Sequence, residues 1–345
     1  MDEAASSVLD FRMPPEWATH ARTWMAWPCN DFVLEDDPEG AWRAWAAAAS
    51  AIVRFEPVTM IVPPGQTAQA RKYLADGVDT VERPIGDSWF RDSGPTFVIG
   101  RDGGLCAVDW TFNGWGGRTF PEAKDDALIA RAVAEMADAR RLPSKLVNEG
   151  GGIHVDGEGT LLLTESVQLN PNRNPNWTKA EVEAECHRLL GTRHTIWLTR
   201  GVVADSGARG TDGHIDTLAC FAAPGVVLAH GQPDKSHPDY ESSAENIAIL
   251  KAAKDAKGRD LEVIVIDAPA DRQDADGDPL SLSYINFYIC NGGVVMCRFD
   301  DRQDEVVAEL FTRLFPGRRV AGVDAVRIFE GGGGVHCITQ QQPAV

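Results

Sequence analysis

The chain has 345 residues, 43% of them hydrophobic, and a formal net charge of −18. That size allows one large core or two ordinary ones, and the lack of any run of about 18 apolar residues excludes a membrane-spanning helix. The acidic balance argues against nucleic acid, whose phosphates need a basic face, and favours a small cation as partner.

The N-terminus, Met1-Asp-Glu-Ala-Ala-Ser-Ser-Val-Leu-Asp10, lacks the basic start and apolar run of a signal peptide. The seven cysteines are odd in number and form no C-x-x-C pair. Both features point to reduced thiols in a cytoplasm. A strand at Thr23-Trp-Met-Ala-Trp27, a helix over residues 41–54 and a strand at Val58-Thr-Met-Ile-Val62 follow. Next comes Asp87-Ser-Trp89-Phe-Arg91-Asp92-Ser-Gly94-Pro95, two acids, an Arg and a Trp crowded together. Asp92 before Ser-Gly-Pro cannot sit inside a regular strand, so this segment reads as a loop at a strand end, where sites are usually built.

From there one pattern recurs four times: strand, Gly-rich turn, strand, helix, short strand. The hairpins pair residues 96–99 with 105–108, 152–155 with 161–164, 214–221 with 226–229, and 284–289 with 294–297. The helices cover residues 123–141, 179–190, 241–257 and 303–314, and the closing strands are 145–147, 195–198, 261–266 and 319–322. With the looser N-terminal copy this makes five units, which implies a closed, radially repeated α/β architecture and a single domain over residues 1–345. An ordinary mixed α/β sheet is the alternative. Two segments echo one another: Asn148-Glu149-Gly-Gly-Gly-Ile-His154 and Phe329-Glu330-Gly-Gly-Gly-Gly-Val-His336. Repeats converging on an axis would bring them together.

Four segments carry groups able to do chemistry. Cys337 follows a glycine run that frees the backbone for close approach, beside His336 and ahead of the polar Gln340-Gln341-Gln342. A bare, polar, open setting with a neighbouring cation suits a nucleophilic thiolate. In Gly213-His214-Ile-Asp216, a strand would put His214 and Asp216 on one face. Asp92 and Glu149 complete one thiol, one imidazole and three carboxylates. Three acids would repel a thiolate and raise its pKa, unless the substrate is itself a planar cation. A guanidinium offers five N–H donors in a fixed fork that carboxylates meet bidentately, and its charge would stabilise the thiolate. A metal hydrolase built on His154, His214, Asp216 and His336 fits less well, because the acids outnumber plausible zinc ligands.

With these residues the chain resembles the agmatine deiminase family of the guanidino-group-modifying (pentein) superfamily, nearly end to end. The resemblance is carried by Phe11-Arg-Met-Pro-Pro-Glu-Trp17, Thr23-Trp-Met-Ala-Trp-Pro28, Asp87 to Pro95, Asn148 to Thr164, Leu169-Asn-Pro-Asn-Arg-Asn-Pro175, Gly213-His-Ile-Asp216, Ser283-Tyr-Ile-Asn-Phe-Tyr288 and Val335-His-Cys-Ile-Thr-Gln-Gln-Gln-Pro343. It implies a five-fold pseudosymmetric ββαβ propeller. It also implies that Cys337 is the nucleophile, His214 the general acid/base, Asp92 and Asp216 the guanidinium binders, Glu149 a partner of His214, and Trp89 a channel residue. The implied reaction is agmatine plus water to N-carbamoylputrescine plus ammonia, in putrescine and polyamine biosynthesis, with no cofactor and no metal. A homo-oligomer stays open.

Two departures bear on the substrate tail. Trp197-Leu-Thr-Arg200 lacks the family's usual Pro, and residues 201–211 form an enlarged loop in which Asp205 is a candidate partner for a distal amine. Gly334 stands where an Asn is common. A deiminase of peptidyl-arginine would need basic residues for a substrate carboxylate, with Arg118 and Arg209 as candidates. An amidinotransferase and a non-catalytic scaffold are the remaining readings.

Overall fold

The structure is a computed structural model and describes residues 10–35, 37–117, 123–207 and 210–345. Apolar runs form the middle strands: Leu161, Leu162 and Leu163, and Val294, Val295 and Met296, are all essentially inaccessible. Runs buried on both faces are what covered, partly parallel sheets require. Among the described residues five separate sheets result, in a mixed α/β fold.

The sheets share one plan. An outer strand pairs antiparallel with a middle strand, and the next strand along the chain pairs parallel with that middle strand. In chain order of the middle strands, Gln340–Pro343, His20–Ala26 and Val58–Val62 make the first, with Val78–Glu82 added at its edge. Thr96–Gly100, Leu105–Thr111 and Arg140–Val147 make the second, flanked by Phe11–Arg12. His154–Val155, Thr160–Thr164 and His194–Leu198 make the third. Ala219–Ala223, Val226–Gly231 and Glu262–Asp267 make the fourth. Tyr288–Cys290, Gly293–Arg298 and Arg319–Asp324 make the fifth. The N-terminal unit reads loosely in the sequence because its outer strand comes from the other end of the chain, Gln341 pairing with Thr23.

A helix joins the middle strand of each unit to its parallel neighbour. Pro38–Ile52 starts on Asp37, whose side chain accepts from Gly40 N at 2.9 Å, with Pro38 at the first helical position. Its buried stripe of Ala41, Ala44, Trp45, Ala48, Ala49 and Ile52 joins the largest core cluster together with Val294 and Val323 of the fifth sheet. Lys179–Leu190 begins in a reciprocal Thr178–Glu181 capping box and ends at Gly191, φ 68°. Among the described residues no helix is long and apolar enough to cross a membrane.

Four local expectations are corrected. The helix expected over 123–141 is Asp126–Met136, and Arg140 and Arg141 already belong to a strand. The helix expected over 241–257 is Tyr240–Ala252; Asp255 then turns the chain by accepting from Lys257 N and Arg259 N, both at 2.9 Å. The strand expected from His214 begins only at Ala219. His214 instead caps a helical turn, Ile215–Leu218, held by Thr217 Oγ1 donating to His214 O at 2.9 Å. Likewise residues 284–287 turn on Ser283 before the strand Tyr288–Cys290.

These turns obey a rule. Just ahead of each unit's outer strand lies one compact turn. In the second, third and fourth units it carries Asp92, Glu149, and His214 with Asp216; in the fifth it carries Asn286, and in the first Cys337. The groups of the candidate site thus come from equivalent turns in the five units, His214 and Asp216 sharing one of them.

Candidate active site

Cys337 is 6% exposed, not open as the sequence suggests. The glycines serve close packing: a Cβ on Gly333 would lie 2.8 Å from the Trp89 ring and 3.0 Å from Cys337 Sγ, and one on Gly334 would lie 2.6 Å from Asn286 Oδ1. Cys337 O accepts from Arg91 N at 3.0 Å. Asn286 Nδ2 donates toward Sγ at 3.1 Å, and Sγ stands 3.5 Å from Asp216 Oδ2. Burial, then Asp216 and Asp92, push the thiol well above its usual range, so it rests protonated. The neighbouring cation expected for the thiolate is not placed there. His336 turns its ring away, to Asp216 Oδ2 and Glu16 Oε2.

Asp92, His214 and Asp216 meet around Gly151. A Cβ there would lie 2.6 Å from His214 Nδ1, 2.9 Å from Asp92 Oδ1 and 3.0 Å from Asp216 Oδ2, so only glycine lets the three groups converge. Asp92 Oδ1 accepts from Gly151 N and Oδ2 from Trp115 Nε1, both at 2.9 Å. Its pKa is raised to about 6, by burial first and by Asp216 and Glu149, against the pull of His214. Burial alone would lower His214, but Asp92, Glu149 and Asp216 overcome it and raise it to about 9. Among the described residues His214 Nδ1 and Asp216 Oδ1 are buried without a hydrogen-bond partner. Buried polar atoms left unpaired are costly; a ligand with N–H donors would satisfy Asp216 Oδ1, and His214 Nδ1 is left to hand a proton to a nitrogen that becomes basic during reaction.

Glu149 is fully buried and both its oxygens are engaged. Arg173 Nε donates to them at 2.9 and 3.0 Å, and His214 Nε2 lies 3.3 Å from Oε2. Burial would raise this carboxyl, yet Arg173 and His214 hold it below its ordinary range. Arg173 also donates to Asp212 Oδ2 at 2.7 Å and to Thr211 O at 2.8 Å, tying Glu149 to the enlarged loop.

Trp89 is 6% exposed and lies against Gly333 and Trp45. Asp205 turns its carboxylate inward, accepting from Thr211 N at 2.8 Å, Thr211 Oγ1 at 2.6 Å and Gly213 N at 2.7 Å. Those bonds shape the loop that delivers His214. Asp205 also borders a cavity of about 410 Å³ with Asp278, Ser281, Phe329 and Glu330. Arg118 and Arg209 lie outside the described residues. Of the metal-ligand candidates, His154 accepts from Phe221 N through Nδ1 at 3.3 Å, and among the described residues no three or more His, Cys, Asp and Glu are grouped as a metal requires.

Sequence reasoning missed Asn286, Arg173 and Glu16. Asn286 was findable: the repeat predicts a site residue before the fifth unit's outer strand. Arg173 carried no signal beyond its place in the 169–175 string.

The Porphyromonas-type peptidyl-arginine deiminase family matches residues 12–343. A Streptomyces avermitilis protein provisionally named an agmatine deiminase is 57% identical over 337 residues, covering 96% of this chain and 97% of its own. The agmatine deiminase of Pseudomonas aeruginosa (strain LESB58) is 42% identical over 357 residues, covering 97% and 96%. The solved structure of the Enterococcus faecalis agmatine deiminase superposes with a TM-score of 0.91 at 34% identity, covering 97% and 96%.

Proposed function

Because the chain belongs to the Porphyromonas-type peptidyl-arginine deiminase family of the pentein superfamily, we propose that it hydrolyses agmatine to N-carbamoylputrescine and ammonia through a covalent intermediate on Cys337. The observation that carries this is the meeting of Asp92, His214 and Asp216 within about 3 Å of one point beside the buried thiol. Three acids there are a poor setting for a thiolate and a good one for a guanidinium.

In this mechanism Asp92 and Asp216 hold the guanidinium, whose charge offsets theirs and lets Cys337 release its proton to solvent. The sulfur attacks the guanidinium carbon. His214, protonated at neutral pH, gives a proton to the departing nitrogen through Nδ1 while Glu149 holds Nε2, and ammonia leaves. An amidino-thioether remains on Cys337. The now neutral His214 takes a proton from water, which attacks the same carbon, and the C–S bond breaks to return the thiol. General acid/base help of this kind contributes about 10²–10⁴-fold. No step calls on a cofactor.

The five sheets, each presenting its turn to one site, fit a five-fold ββαβ propeller within a single catalytic domain. Seven unpaired cysteines suit a reducing cytoplasm, where the product would feed putrescine synthesis. Trp89 lines the approach to the thiol. The test is turnover of agmatine against arginine and peptidyl-arginine, with mass spectrometry of enzyme quenched in turnover. Ammonia and N-carbamoylputrescine from agmatine, with an amidino adduct on Cys337, are expected; preference for peptidyl-arginine would replace the substrate, and absence of any adduct would remove the covalent route.

A further inference from the structure

His336 stands beside the nucleophile in the chain, yet both of its ring nitrogens face carboxylates. Nδ1 lies 2.7 Å from Asp216 Oδ2 and Nε2 lies 2.8 Å from Glu16 Oε2, and all three side chains are buried. An ionised carboxylate can only accept, so a ring with a carboxylate oxygen at each nitrogen carries both protons. The backbone fixes the ring as well: His336 N donates to Asn286 Oδ1 at 3.0 Å. Glu16 is anchored in turn, its Oε1 accepting from Ile289 N at 2.7 Å. A cavity of about 10 Å³ lies among Glu16, His154, Asp216, Cys220 and His336, room for about one water. Substrate cannot enter there, so this cluster acts through Asp216.

Asp216 carries the consequence. Its Oδ2 is held by His336, and its Oδ1 is buried with no partner among the described residues. Released from His336, the carboxylate could rotate, since its terminal torsion is broad and two-fold. It would then lose the one orientation that sets Oδ2 beside Sγ and near the point where Asp92 and His214 converge, with Oδ1 left unpartnered.

We propose that Glu16 and His336 are positioning residues of the guanidinium site: Glu16 holds His336 as a cation, and His336 pins Asp216 Oδ2 so that the carboxylate keeps one fixed orientation toward the guanidinium. This rests on the guanidino reading above. The groups facing His336 are Glu16 from the N-terminal segment, Asp216 from the 215–218 turn, Arg91 from the 90–93 turn and His154 from the third sheet. Arg91 opposes the ring's charge from nearby. His154, whose ring centre is 6.5 Å away, is lowered to about 4 by burial and stays neutral. Only the two acids favour the cation, and Glu16 is the one that does not touch substrate.

Glu16→Gln keeps the shape and removes the charge. Binding by Asp216 operates in ground and transition states alike, so its loss appears in KM. The KM for agmatine is expected to rise about tenfold with kcat within about threefold. A new ionisation should appear in kcat/KM, as His336 without the Glu16 charge loses its proton at a lower pH than in the wild type. Wild-type KM, kcat and pH profile in the folded variant would overturn the proposal, as would a lowered melting temperature with no KM change. Should the variant not fold, or should agmatine not be the substrate, nitrogen NMR of histidine-labelled wild-type enzyme still decides. Two protonated ring nitrogens on His336 at pH 8 support the proposal, and a neutral ring defeats it.

Discussion

Residues 148–154 and 329–336 carry the same Glu, glycine run and His, and the fold gives them opposite electrostatics. Glu149 is buried against Arg173 and His214, whereas Glu330 is about a third exposed and 3.5 Å from Arg327. The histidines reverse the order. His154 is held neutral and accepts a backbone hydrogen bond, while His336 is a cation between two acids. In the proposed mechanism the working group of the first segment is the acid; in the second it is the histidine, with the thiol that follows it. In both segments the glycines let side chains from other units come close. Which charged neighbour the chain meets then sets each residue's role.

Substitutions can break this contrast, and the largest effect belongs to the second segment. Cys337→Ala should lower kcat by more than about 10⁴-fold with the fold intact; ammonia release from agmatine measures it. Next, Glu149→Gln should lower kcat about 10²-fold, while Glu330→Gln stays within about threefold; equal losses would mean the two segments are equivalent. Arg173→Met should lower kcat about tenfold and also the melting temperature, because it strands a buried carboxylate, a change that typically costs about 3–5 kcal/mol. The pH profile of kcat/KM should be bell-shaped. Asp92, raised to about 6, becomes protonated as pH falls through that value and loses its grip on the cation. His214, raised to about 9, loses the proton it owes the leaving nitrogen as pH rises through that value. A single limb would mean that only one of these groups controls the rate. The smallest effect is His154→Gln, expected within about twofold in kcat, because it already works as a neutral acceptor.

Much of the site is legible from residue types. Residue types alone single out Cys337, His214 and three acids as the set that the proposed guanidino chemistry uses, and the alternation of hairpin and helix points to five units. Other features are not legible. Asn286 bears no charge and resembles any turn amide until the repeat places it beside Sγ. Arg173 reads like a surface cation and proves to be buried under Glu149. The outer strand of the first sheet was hidden because its residues, 340–343, lie more than three hundred positions from their partners. His214 and Asp216 do converge, but from a helical turn, since Asp212 and Gly213 adopt φ of 71° and 109° and redirect the chain before the strand begins.

Residue types and their spacing are enough to list the groups that could attack, transfer a proton or bind a cation, and to count the strand–helix repeats that carry them. Only the tertiary structure decided where each group points. Cys337 and His336 are neighbours in the chain but face different partners, and Glu16 meets His336 across 320 residues. A side chain's direction follows from the backbone of its turn, and its protonation follows from the burial and charges around it. Both are set by chain segments that local sequence does not contain.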